Sequence, residues 1–114
     1  MTRIALDKAV RDGDCDVTIE GEIDLCCADD VATLATLSLD DPHLRSLTLD
    51  LAAVTFMDST GIGALVRIRN TALEVGKQLT LRDPSEPVTK VLKITGLDTV
   101  FAVQRTGEGI DTTR

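Results

Sequence analysis

Residues 58–61, Asp-Ser-Thr-Gly, combine a carboxylate, two hydroxyls and a glycine where an apolar segment gives way to helical periodicity. Asp and Ser favour the start of a helix, because their oxygens accept hydrogen bonds from the unpaired amides of the first turn. The same helix end attracts anions through those amides and the positive end of the dipole. The pattern therefore predicts a serine hydroxyl, that of Ser59, where an added phosphate is tolerated. The alternative is that Ser59 only caps the helix.

A strand and a helix position this turn. Residues 46–51 are predicted to form a buried strand, because Leu47, Leu49 and Leu51 alternate with polar residues. After the turn, a second helix is predicted to end near Gly76, a favourable C-cap. The residues that recur at helical spacing in this segment are Ile62, Leu65, Val66, Arg69, Ala72 and Leu73.

The remaining segments alternate between strand and helix patterns. Strands are predicted at residues 4–10, 15–23, 77–82 and 100–103, and further helices from Asp24 to near Ser38 and over 88–95. Asp24 is expected to cap the first of these helices, Asp12-Gly13 to form a tight hairpin and Gly21 a bulge. After the initial hairpin, this alternation predicts an α/β fold with a mixed sheet covered by helices.

Three segments, in this order, resemble the anti-sigma factor antagonist (STAS) family. They are Gly21-Glu22-Ile23-Asp24, then Leu49-Asp50-Leu51 followed by residues 54–65 (VTFMDSTGIGAL), and residues 95–101 (TGLDTVF). The likeness covers residues 4–103. It implies a STAS-like sheet of four to five strands with three to four helices. We expect one domain over residues 1–104 and, from its polar, Gly-containing composition, a flexible tail over 105–114.

The resemblance implies a partner-switching protein rather than a catalyst. The unphosphorylated form would bind an anti-sigma factor and free a sigma factor for transcription. The anti-sigma factor, itself a serine kinase, would phosphorylate Ser59, and a serine phosphatase would reverse the modification. Thr60 is the alternative site of modification.

The expected partner-binding face joins the helix start near Asp24 to the central turn. It comprises Asp24, Asp58, Ser59, Thr60, Gly61, Ile62 and Gly63. Gly61 and Gly63 are expected to leave the turn open to a partner's backbone. Ile62 is either an exposed anchor or, as we favour, the first core residue of its helix. Asp24 is first a helix cap, with a partner contact as its second role.

Other classes of function have weaker support. A serine nucleophile needs a base, and the only histidine, His43, lies in a predicted loop, while Ser59 lacks the Gly-x-Ser-x-Gly context. No nucleotide-binding motif is present, so no cofactor, metal or catalytic residue is expected. The remaining alternative is a STAS module packed permanently in a larger signalling or transport assembly.

Composition narrows the class of partner. The net charge of −7 and the absence of Trp and Tyr disfavour nucleic-acid binding. No apolar run approaches the ~18 residues of a membrane helix, so we expect a cytoplasmic protein with no membrane partner.

Cys15, Cys26 and Cys27 match neither a disulfide framework nor a zinc pattern and are expected to be free thiols. A position near a helix start could lower the pKa of the Cys26-Cys27 pair.

Overall fold

The computed structural model describes residues 4–106, with side chains from residue 6 onward. This part of the chain contains five strands and three helices. The strands are β1 (Ile4–Arg11), β2 (Asp14–Ile23), β3 (Ser46–Met57), β4 (Gln78–Arg82) and β5 (Ala102–Gln104). The helices are α1 (Ala28–Leu39), α2 (Ser59–Val75) and α3 (Glu86–Ile94). The predicted α/β class is confirmed, and the mixed sheet predicted with four to five strands and three to four helices has five strands and three helices.

The strands lie side by side in the order β1-β2-β3-β4-β5. β1 and β2 are antiparallel, whereas β2, β3, β4 and β5 are parallel to one another. The β1–β2 hairpin pairs Arg11 with Asp14, and its two turn residues, Asp12 and Gly13, have φ values of 52° and 87°. Positive φ at both positions matches the right-handed twist of the strands. The predicted hairpin is therefore confirmed.

The core lies between the sheet and its helices. Alternate side chains of the central strands are fully buried, namely Cys15, Val17, Ile19, Leu47, Leu49, Leu51 and Leu81. α1 contacts β2 and β3, α2 contacts β3 and β4, and α1 and α2 pack against each other. α2 ends at Gly76, whose φ of 71° is a left-handed C-cap as predicted.

β3 is longer than predicted and carries the chain straight to the central turn. Its burial alternates as far as Leu51, after which only Val54 and Met57 are buried. The register with β2 shifts at two places, between Thr18 and Glu20 and between Gly21 and Glu22, and the second shift coincides with the predicted bulge at Gly21. Because these shifts break the period of two, the alternating pattern ends at Leu51 although the strand continues.

Other helix and strand boundaries differ from the predicted ones by a few residues. α3 begins at Glu86 rather than Val88, because Pro87 lies in the first helical turn, where a proline is tolerated. At the other end of the chain, the backbone N–H and Oγ1 of Thr106 donate to the Asp83 carboxylate at 2.9 and 2.8 Å. The rest of the predicted tail, residues 107–114, lies outside the described residues.

Candidate functional site

Asp58 is the N-cap of α2. Its backbone is extended, and its Oδ1 accepts hydrogen bonds from Thr60 N (3.0 Å), Gly61 N (3.3 Å) and Thr60 Oγ1 (2.5 Å). The hydrogen bond from the Thr60 hydroxyl, helped by the two backbone amides, lowers the pKa of Asp58, although partial desolvation acts in the opposite direction. The alternative that Ser59 caps this helix is therefore wrong.

Ser59 is the first residue of α2 and its side chain is exposed. Its hydroxyl makes no hydrogen bond to any residue between 4 and 106. Thr60 differs, because it is half-buried and its hydroxyl is bound to Asp58. Of the two neighbouring hydroxyls, the one on Ser59 is the accessible and unpaired one.

The two glycines of the turn have different roles. A Cβ atom on Gly61 would lie 2.7 Å from Met57 Cγ and 2.8 Å from the Ile23 carbonyl oxygen, so Gly61 lets α2 start directly against the end of β2. The expectation that Gly61 leaves the turn open to a partner is wrong. Gly63 is exposed, and a Cβ there would meet nothing within 4 Å. Ile62 is 8% exposed, which confirms its assignment to the core rather than as an exposed anchor.

The segment between β2 and α1 corrects the prediction for Asp24. α1 begins at Ala28 with Cys27 as its N-cap, so Asp24 does not cap the helix. Instead its Oδ1 accepts a hydrogen bond from Cys26 N (3.0 Å), and its carbonyl oxygen accepts one from Ala28 N (2.9 Å). A short polar side chain can stabilise such a turn by binding the backbone two residues on. Asp24 thus orders the turn before the helix.

Cys27 is buried beneath this turn. Its thiol donates to the Glu22 carbonyl oxygen at 2.7 Å. Burial raises the pKa of Cys27; a hydrogen bond with the Asp24 backbone partly offsets this, and the Asp24 carboxylate raises the pKa further. The expected lowering of the pKa is therefore wrong for Cys27. All three cysteines are free, and only Cys26 is exposed.

The starts of α1 and α2 lie side by side around a shallow groove. Leu25, Ala28 and Asp29 line one side, and Thr60, Gly63 and Arg67 line the other. Arg67 Nη2 bridges the groove to Asp29 Oδ1 at 2.8 Å, but both side chains are largely exposed, so the ion pair adds little stability. We call this surface the helix-start face; it comprises Asp24, Leu25, Asp29, Asp58, Ser59, Thr60, Gly63 and Arg67.

Comparison with known proteins identifies the fold family. The model of the STAS domain family matches residues 5–110. The chain belongs to the STAS domain family. The anti-sigma-B factor antagonist of Bacillus subtilis (strain 168) is 32% identical over 107 residues, covering 93% of this chain and 95% of that protein.

Solved structures show the same fold as this STAS domain. An anti-sigma factor antagonist from Mycobacterium paratuberculosis superposes with a TM-score of 0.75 and 27% identity, over 96% of this chain and 92% of that one. The anti-sigma factor antagonist SpoIIAA is similar in its unphosphorylated form (TM-score 0.75, 22% identity, 96% of both chains). The structure of SpoIIAA from Bacillus in the phosphorylated form is also similar (TM-score 0.70, 21% identity, 96% of this chain and 100% of that one).

The geometry of the STAS domain separates Ser59 from the histidine. His43 lies in the loop before β3, whereas Ser59 follows β3, so the twelve residues of the strand, at roughly 3.3 Å each, stand between them. In residues 4–106, no three His, Cys, Asp or Glu side chains cluster as a metal site. None of the helices in that part of the chain is long and apolar enough to cross a membrane.

Three residues of the helix-start face were not predicted from the sequence. Leu25 falls at an apolar position of the helix predicted from Asp24, but it lies before α1 and is 78% exposed. Asp29 lies in the first turn of α1, where its charge favours the helix dipole, and that local role does not indicate a partner on α2. Arg67 follows Gly63 by four residues and Thr60 by seven, so helical spacing alone places it on their side of α2. This spacing is the sequence signal that could have placed Arg67 on the helix-start face.

Proposed function

We propose that this STAS domain is an anti-sigma factor antagonist whose unphosphorylated form binds an anti-sigma factor through the helix-start face and so frees a sigma factor. The name of the 32% identical relative supports this function. The observation that carries the proposal is the exposed, unpaired hydroxyl of Ser59 at the start of α2. The partner is a serine kinase that supplies ATP and magnesium and phosphorylates Ser59. A serine phosphatase restores the free hydroxyl, and the exchange takes place in the cytoplasm.

Phosphorylation should leave the free domain folded. A phosphate brings about −1.5 to −2 charges, and a position at a helix start stabilises it by roughly 0.3–1 kcal/mol. The lower part of that range applies here, because Asp58 already accepts from the amides of Thr60 and Gly61. Repulsion from the Asp58 carboxylate, mostly through water, is of the order of 1–3 kcal/mol. The net effect, a destabilisation of about 1–3 kcal/mol, is still less than the roughly 5–15 kcal/mol that stabilises a typical domain, so the fold should persist.

The same phosphate has a larger effect inside a complex. Burying a dianion without matched partners costs several kcal/mol, and about 4 kcal/mol corresponds to a thousandfold loss of affinity. The one arginine of the helix-start face, Arg67, is already paired with Asp29. Phosphorylation of Ser59 would therefore end docking at the contact surface itself, without a change of fold.

The test uses purified domain as bait for the anti-sigma factor of the source cell. Wild type, Ser59→Ala, Ser59→Asp and Thr99→Asp are compared after circular dichroism has shown native folding of each. Thr99→Asp is the matched control, because it adds the same charge at an exposed hydroxyl outside the helix-start face. We expect wild type, Ser59→Ala and Thr99→Asp to retain the partner and Ser59→Asp to weaken it at least about tenfold.

Addition of ATP to the recovered complex should then place one phosphate on Ser59 and none on Thr60, as mapped by mass spectrometry. If wild type and Ser59→Asp hold the same proteins equally, the switch is refuted, and the domain is a permanently packed STAS module.

A further inference from the structure

A second groove lies between the far half of α2 and the β4–β5 edge of the sheet. Its apolar lining includes Leu73, Leu79, Val100 and Phe101. Phe101 is buried at its base, whereas Leu73 is 62% exposed and Val100 is 39% exposed. Leu73 belongs to the helical pattern of the sequence, and it lies on the open wall of this groove. The groove therefore exposes apolar side chains beside a sheet edge.

The charged residues of the groove are both cations. Arg69 and Lys77 belong to its lining, which contains no carboxylate, although the whole chain has a net charge of −7. Lys77 Nζ donates to the carbonyl oxygens of Leu39 and Asp41, which do not line the groove, so its charge is already engaged there. Arg69 makes no hydrogen bond or ion pair with any residue between 4 and 106. The groove thus offers an unpaired guanidinium next to apolar side chains.

β5 forms the sheet edge at this groove. Among residues 4–106, its three residues, Ala102–Gln104, pair only with β4, and all three are exposed. An edge strand presents unpaired N–H and C=O groups on its outer side, where an extended peptide can add as a further strand. Main-chain hydrogen bonds would then hold the peptide, and the groove would select its side chains.

We propose that this groove is a second docking site, which binds an acidic, apolar segment of another protein as an added strand along β5. Carboxylates of the segment would pair with Arg69, and its apolar side chains would pack on Leu73 and Val100. Leu73 lies about four helical turns beyond Ser59, roughly 20 Å along α2 at 1.5 Å per residue. Binding here is therefore independent of phosphorylation at Ser59 and compatible with an occupied helix-start face.

The test uses two blocked, fluorescent peptides, acetyl-Glu-Val-Glu-Ile-Glu-Val-amide and the same peptide with Lys in place of Glu. Fluorescence anisotropy measures both against wild type, Arg69→Glu, Leu73→Glu and Ser59→Asp. Lys93→Glu and Leu37→Glu are matched controls, since both residues are exposed on helices outside the groove, and Leu37 is 66% exposed.

Wild type should bind the acidic peptide at least about fivefold more tightly than the basic one, as expected for one or two charge contacts. Arg69→Glu should abolish this preference, and Leu73→Glu should weaken binding of both peptides. Ser59→Asp and the two controls should change the affinity less than about twofold. In a two-dimensional NMR spectrum, the amide signals of Ala102–Gln104 should shift on titration.

Equal binding of the two peptides, equal losses in the controls, or shifts centred on Ser59 rather than on β5 would each overturn the proposal. Absence of binding by either peptide to the folded wild type would overturn it as well.

Discussion

Gly61→Ala and Gly63→Ala are the same substitution made two residues apart on α2, and the structure predicts opposite effects on stability. A methyl group on Gly61 would lie 2.8 Å from the Ile23 carbonyl oxygen and 2.7 Å from Met57 Cγ. The Met57 side chain can move, but the Ile23 backbone belongs to β2, so the start of the helix must shift. A methyl group on Gly63 meets nothing within 4 Å.

The magnitude follows from comparing the two variants. Replacing a helical glycine by alanine stabilises a protein by about 0.5–1 kcal/mol. Because both variants share much of this gain, the difference between them is mainly the cost of overpacking at Gly61, about 1–3 kcal/mol. Gly63→Ala should be more stable than wild type and Gly61→Ala less stable.

Urea unfolding followed by circular dichroism measures both free energies, provided that the m-values agree among the three proteins. For a domain of this size, 1 kcal/mol corresponds to about 4 °C in Tm. Gly63→Ala should therefore melt about 2–4 °C above wild type and Gly61→Ala several degrees below it. If the two variants had equal free energies of unfolding, the proposed contact of Gly61 with Ile23 would be wrong.

Further predictions concern the α2 cap, the helix-start groove and the thiols. Asp58→Ala should lower the free energy of unfolding by about 1 kcal/mol at pH 7. Because the pKa of Asp58 is lowered in the folded state, this contribution is present above about pH 4 and is lost as the pH falls through the folded pKa. The free energies of unfolding of wild type and variant should therefore converge in acid. Thr60→Val removes the largest cause of that shift, and an NMR titration should show the pKa of Asp58 rising; an unchanged pKa would contradict the assignment. Gly63→Leu fills the groove and should weaken the anti-sigma factor complex without lowering Tm, so wild-type affinity by calorimetry would argue against docking there. In the folded domain a thiol reagent should modify exposed Cys26 rapidly and the two buried cysteines only after unfolding; rapid loss of more than one thiol would show that they are accessible.

The local sequence determined most elements and their ends, because periodicity, turn chemistry and capping act between residues close in the chain. The Asp12-Gly13 hairpin and the Gly76 C-cap were both predicted from such signals. The hydroxyl-rich turn before α2 was also found in this way. Its cap was ambiguous between Asp58 and Ser59, since either side chain can accept from the first-turn amides.

Tertiary packing decided which of these residues face each other. Leu25 is apolar and falls within the helix predicted from Asp24, but α1 begins only at Ala28, and the Leu25 side chain lies on the surface. Gly61 appeared open, yet it meets Ile23, 38 positions earlier in the chain, because β2 and β3 end side by side. The pairing of Asp29 with Arg67 depends in the same way on how α1 lies against α2. Contacts between elements distant in sequence arise from sheet order and helix packing, which no local pattern encodes.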